Sequence, residues 1–155
     1  MARALALAIA LILQPPAQLD PVHWSLSTAH PVVRGATVAV KLSAAIQPGW
    51  HLYSIDQPPG GPIATEISLP AAQPFTFSKP IVAPRSHAVL DPGFDMLVRL
   101  YSEKAEFGLL LKVDGQTPPG AHTLRVDARY QSCNDSICLP PRTVTVTVTV
   151  QVREK

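Results

Sequence analysis

From Thr143 to Val150 the chain alternates threonine and valine without a break. A period of two admits one conformation, an extended strand with an apolar face and a polar face. A helix would spread those valines around its circumference. A second stretch has the same period: Leu124, Val126, Ala128 and Tyr130 alternate with Thr123, Arg125, Asp127 and Arg129. Both read as half-buried strands, and their proximity in sequence makes them a hairpin. Between them stand the only two cysteines, Cys133 and Cys138, separated by Asn134-Asp135-Ser136-Ile137. Facing residues of a hairpin lie ~4.5–5.5 Å apart at Cα, within disulfide range. A bond there closes a very small loop. A loop of ~15 residues is worth about 3 kcal/mol in the chain-entropy model, and a shorter one gains less. The bond is poorly placed as a staple, so a redox role stands beside the structural one. By strand parity Cys133 falls with Arg125, Asp127 and Arg129 on the outward face. Pro140 and Pro141 break the parity for Cys138, and a bulge or twist is needed to aim the two sulfurs at each other.

The rest of the chain reads as further strands. Val22 to Thr28 is the first, and Ala36 to Ile46 the second, with Val38, Val40, Leu42 and Ala44 on one face. Gln47-Pro48-Gly49 turns the chain into a third, Trp50 to Ile55. A Pro/Gly loop, Gln57 to Pro62, precedes shorter strands at Ala64 to Leu69 and Phe75 to Ser78. Ile81 to Phe94 reads as irregular. Met96 to Tyr101 and Ala105 to Val113 form an expected hairpin with Ser102-Glu103-Lys104 as its turn. Seventeen prolines suit loops and sheet edges rather than helices. Eight or nine short strands at close spacing predict an all-β, immunoglobulin-like β-sandwich. The cysteine pair is not the inter-sheet disulfide of that fold, which joins residues far apart in sequence.

Ahead of the strands, Met1-Ala2-Arg3 is a short basic segment and Ala4 to Leu13 an apolar run, broken by Gln14-Pro15-Pro16-Ala17-Gln18. This is the shape of a secretory signal peptide, assigned to residues 1–18, with a retained anchor as the alternative. The run is short of the ~20 apolar residues that span a bilayer. Residues 19–155 then form one exported domain, soluble after leader removal, in a periplasmic compartment where a disulfide persists. The formal charge of +2 is scattered, which gives no footprint for nucleic acid or an anionic membrane. The five histidines, His23, His30, His51, His87 and His122, show no metal-ligand spacing. No cofactor or metal is called for, and a monomer is expected. No Ser/His/Asp grouping or carboxylate pair supports hydrolysis.

The run Cys133-Asn134-Asp135-Ser136-Ile137-Cys138-Leu139-Pro140-Pro141 resembles the N-terminal periplasmic domain of the DsbD family of thiol:disulfide interchange proteins. Gln47-Pro48-Gly49-Trp50-His51-Leu52-Tyr53 and Tyr130-Gln131-Ser132-Cys133 resemble further motifs of that family, and the likeness spans residues 20 to 152. The resemblance implies an immunoglobulin-like domain with a redox-active cysteine pair and protein-disulfide reductase activity. Such a domain takes electrons from a membrane-embedded domain and passes them to exported thioredoxin-fold proteins, among them disulfide isomerases and cytochrome c maturation factors. This chain carries neither a multi-span membrane domain nor a thioredoxin-like one, so a separate membrane electron-transfer protein is the expected donor.

By position in the resemblance, Cys138 forms the mixed disulfide with the partner and Cys133 resolves it. Leu90-Asp91-Pro92-Gly93-Phe94-Asp95 occupies the place of the family's cap loop. Phe94 is the ring expected over the disulfide, Asp91 and Asp95 are its acidic companions, and Tyr53 belongs to the site floor. Gly93 is expected to let the loop swing. No Lys, Arg or His lies between the cysteines to stabilise a thiolate, so the free thiols should be sluggish until a partner displaces the cap. The rival expectation is an immunoglobulin-like binding module whose disulfide is structural.

Overall fold

The structure is a computed structural model, and it describes residues 20–28 and 31–155. The leader expected over residues 1–18 lies outside them. Twelve strands follow in order: β1 (Val22–Thr28), β2 (Val32–Val33), β3 (Thr37–Ile46), β4 (His51–Tyr53), β5 (Glu66–Ser68), β6 (Phe75–Phe77), β7 (His87–Asp91), β8 (Met96–Ser102), β9 (Lys104–Val113), β10 (Gly120–Tyr130), β11 (Ser132–Cys133) and β12 (Arg142–Arg153). The count exceeds the expected eight or nine because several are only two or three residues long.

The two alternating stretches pair as their period demands. β10 and β12 run antiparallel from Gly120↔Val152 to Tyr130↔Arg142, so Val126 faces Val146 and Arg125 faces Thr147. They form one sheet in the order β2-β12-β10-β5, and a second runs β1-β3-β9-β6. The main core fills the space between these sheets. Val38, Val40, Leu42 and Ala44 come from β3, Phe107, Leu109 and Leu111 from β9, and Leu124, Val126, Ala128 and Tyr130 from β10. Trp24 joins them across the sandwich, its ring 5.3 Å from Tyr130 and 6.1 Å from Phe107. The all-β immunoglobulin-like sandwich is therefore the observed fold.

A third sheet, β11-β4-β8-β7, departs from expectation. Ile81 to Phe94 is not wholly irregular, because His87–Asp91 pairs with β8 from His87↔Leu100 to Asp91↔Met96. Nor do β8 and β9 form a hairpin: β8 pairs with β4 and β7, while β9 pairs with β3 and β6. Only Glu103 separates the two strands, fewer residues than the shortest common hairpin loop. Glu103 takes φ 62°, and its carbonyl accepts from Ile46 N–H at 2.8 Å. The chain turns a corner there and passes from one sheet to another.

β4 is aimed by the turn before it. Trp50 N–H donates to the Gln47 carbonyl at 3.0 Å, with Pro48 and Gly49 between them and Gly49 at φ 81°. That is a type II turn, which needs positive φ at its third residue. A Cβ on Gly49 would meet nothing within 4 Å. Gly49→Ala should therefore cost only the left-handed penalty of an L-residue, about 1–2 kcal/mol, measurable by urea denaturation. A loss below a few tenths of a kcal/mol would show that the turn relaxes instead.

Candidate functional site

Tyr130 ends β10 buried in the main core, its hydroxyl donating to Asp20 Oδ1 at 3.0 Å. Burial and the Asp20 carboxylate push its phenol up to about 12. Gln131 leaves the ladder, its side-chain amide reaching the Leu139 carbonyl at 3.2 Å. The next two residues then join the other sheet, Ser132 opposite Leu52 and Cys133 opposite His51. Both are buried. The outward placement of Cys133 by parity is thus overturned: the strand changes sheets at Gln131, and the count of faces restarts there.

The tip that follows is locally coded. Asn134 Oδ1 accepts from the N–H groups of Ser136 and Ile137 at 2.9 and 2.8 Å, and Asn134 N–H donates to the Ile137 carbonyl at 2.9 Å. Asparagine favours such turns because its side chain imitates a backbone acceptor. The turn brings Cys133 and Cys138 face to face as a bridge. They are disulfide-bonded with Cα atoms 4.1 Å apart. The pair is asymmetric: Cys133 is 1% exposed, whereas Cys138 is exposed.

Sheet register places the surroundings. Cys133 faces His51, His51 and Tyr53 are two apart on β4, Tyr53 faces Leu100, and Val98 faces Val89. Period-two geometry puts them all on one face of the third sheet. The other face gives Leu52 and Tyr101 to the main core. Tyr53, Val98, Leu100 and Cys133 make a small second core, with Met96 against it. Above it opens a cleft of about 540 Å³, lined by both cysteines, His51, Tyr53, residues 89–94 and the tip loop.

The segment from Asp91 to Phe94 is tied to this floor through one side chain. Asp91 Oδ2 accepts from the Tyr53 hydroxyl at 2.9 Å, and Asp91 Oδ1 accepts from Gly93 N–H at 2.8 Å. Phe94 rests edge-on against Tyr53, ring centroids 6.2 Å apart, and stays 40% exposed. Gly93 does not take a positive φ here. A Cβ there would lie 3.2 Å from Asp91 Oδ1, so glycine makes room for that carboxylate. The left-handed residue is Asp95, at φ 51°, outside the cleft lining. Cys133, Cys138, Tyr53, Asp91 and Phe94 are brought together, and Asp95 is not.

Sequence reasoning missed His51. It stands across from Cys133 and packs edge-on against Tyr53 at 5.4 Å. Its position two residues before Tyr53, on the same face of the same strand, was the available signal. Burial lowers its pKa below the ordinary value, opposed by the charges of Asp91 and Asp135. Burial, the hydrogen bond to Asp91 and that carboxylate's charge raise the Tyr53 phenol. The cleft therefore holds two carboxylates, a phenol that stays protonated and an imidazole, and among the described residues no lysine or arginine lines it. Of the two cysteines, Cys138 is the residue open to solvent and Cys133 the buried one.

The family described as "Thiol:disulfide interchange protein DsbD, N-terminal" matches residues 25–150. Among solved structures, the chain resembles the N-terminal periplasmic domain of ScsB from Proteus mirabilis, with a TM-score of 0.55 and 18% identity. The likeness covers 90% of this chain and 49% of that one, so this chain spans about half of the other's length. No curated protein matches. Among the described residues, no helix is long and apolar enough to cross a membrane. The chain belongs to the family of N-terminal domains of the thiol:disulfide interchange protein DsbD.

Proposed function

We propose that this domain is an exported, periplasmic thiol–disulfide exchange module. It accepts two electrons from a membrane electron-transfer protein and passes them to thioredoxin-fold proteins by cycling Cys133 and Cys138 between dithiol and disulfide. It would act as the protein-disulfide reductase component of that chain, with cytochrome c maturation factors among its acceptors. The observation that carries this reading is the asymmetry of the pair, Cys138 an exposed residue and Cys133 a buried one, both lining one cleft. A structural staple gains nothing from that arrangement. Exchange needs one sulfur that a partner can reach and one that only the first can reach. Cys138 is the sulfur captured by the partner, Cys133 resolves the mixed disulfide, and Phe94, held by Asp91 and Tyr53, restricts access.

Stopped-flow exchange with a panel of exported thioredoxin-fold proteins tests it. Transfer to at least one member should exceed transfer to glutathione by about a hundredfold, as expected where access and leaving group are matched. Rates no faster than glutathione across the panel, with a reduction potential below about −300 mV, would make the bond structural and the domain a binding module.

A further inference from the structure

His51 Nε2 is buried and has no hydrogen-bond partner among the described residues. Buried polar atoms are nearly always paired, so an orphan beside a redox site needs a reason. His51 lies directly opposite Cys133 on the antiparallel β4–β11 ladder. Such residues share a face, with Cβ atoms ~4.5–5.5 Å apart, and both line the cleft. In the disulfide, neither sulfur carries a hydrogen. Reduction gives Cys133 an S–H group, and with it the donor that the ring lacks.

We propose that His51 is the proton acceptor for Cys133, taking its thiol proton as that sulfur attacks the mixed disulfide at Cys138. This deepens the exchange function proposed above and rests on it. The thiolate is the nucleophile, and the burial of Cys133 makes direct loss of its proton to solvent slow at neutral pH. The step balances. The Cys133 proton moves to His51, Cys133 Sγ bonds to Cys138 Sγ, and the bond from Cys138 to the partner's sulfur breaks. The partner leaves as a thiolate, which takes its proton from the imidazolium or from water. Over the cycle the dithiol loses two electrons to the partner's disulfide. In reverse, a donor thiolate attacks Cys138 and the departing Cys133 takes the proton back.

The neighbours suit that role. Tyr53 flanks the ring on its own strand, and Ser102 faces it from β8. Asp91 from the cap side and Asp135 from the tip loop supply negative charge that favours the imidazolium once formed. Burial outweighs them and keeps the ring neutral at rest, ready to accept.

The test needs no physiological partner. Reduced domain is mixed with dithiobis-nitrobenzoate in a stopped-flow instrument. The reagent-dependent phase reports attack by Cys138, and the reagent-independent phase reports closure by Cys133. In His51→Phe, and in His51→Gln as a smaller change, the second phase should slow at least about tenfold at neutral pH, as for loss of a general base. It should then rise about tenfold per pH unit, as hydroxide replaces the ring. The unaltered domain should level off above the His51 pKa. The first phase should stay within about twofold, since general-base loss touches only the step it serves. Second phases of equal rate and pH dependence in all three proteins would overturn the assignment. So would equal slowing of both phases, which marks a merely structural residue. Failure of the thioredoxin-fold panel with a slowed second phase would sink the exchange function but not this chemistry.

Discussion

In the reduced domain, a small alkylating reagent should modify Cys138 about a hundredfold faster than Cys133, because reaching a buried thiol takes about 3 kcal/mol of local opening. The structure motivates the size of the effect. Cys133 is 1% exposed, packed with Tyr53, Val98 and Leu100, and held in the β4–β11 ladder. Cys138 is exposed beyond the Asn134 turn, which holds itself together without it. Single-cysteine variants, Cys133→Ala and Cys138→Ala, each alkylated with Phe94 present or as Phe94→Ala, separate burial from the cap. If Phe94 has the proposed capping role, Phe94→Ala should speed Cys138 by about threefold to tenfold and leave Cys133 slow, because Cys133 is shielded by burial. Global stability should fall by about 1 kcal/mol at most, since a 40% exposed ring loses only part of its burial. Equal rates in all four proteins would remove both the asymmetry and the cap.

That asymmetry was not legible in the sequence, and the reason is physical. Period two tells which residues share a face, but not which sheet a strand belongs to. Thr143 to Val150 announced β12, and the same pattern announced its partner β10, while their register came from the structure. Past Tyr130 the parity count failed because Ser132 and Cys133 hydrogen-bond to β4 instead of β12. β7 was invisible for a related cause. His87–Asp91 shows no burial alternation of its own, and its place is set by pairing with β8. Its Leu90 and the facing Leu97 are 66% and 65% exposed, so hydrophobicity there marks no core. The family motifs supplied Phe94, Tyr53 and Asp91, and the structure gathers them around one cleft. Asp95 followed from the same motif but falls outside it. The sequence could place His51 on the strand face of Tyr53, but only the ladder sets it opposite a cysteine eighty-two residues away.

Removing the disulfide should leave the domain folded, and less weakened than removal of one core ring. The bond joins residues five apart in sequence, and the chain-entropy model assigns a loop that short about 2 kcal/mol. Cys133→Ala with Cys138→Ser is the suitable double variant, because a serine at buried position 133 would bury a hydroxyl at a further cost of about 1–3 kcal/mol. Phe107→Ala, with the bond intact, should cost about 3–5 kcal/mol. Phe107 is 0% exposed, 6.1 Å from the Trp24 ring and 5.5 Å from the Tyr101 ring, at the centre of the sandwich. Urea midpoints of the three proteins, at equal slope, give the order directly. If the bond-free variant proved the least stable, the disulfide would be a structural element and its cycling would endanger the fold. The expected order has the opposite meaning. A domain of typical stability, about 5–15 kcal/mol, loses only a minor part when the bond opens. The sandwich then stays folded in both redox states, as a domain that is reduced and oxidised in every cycle requires.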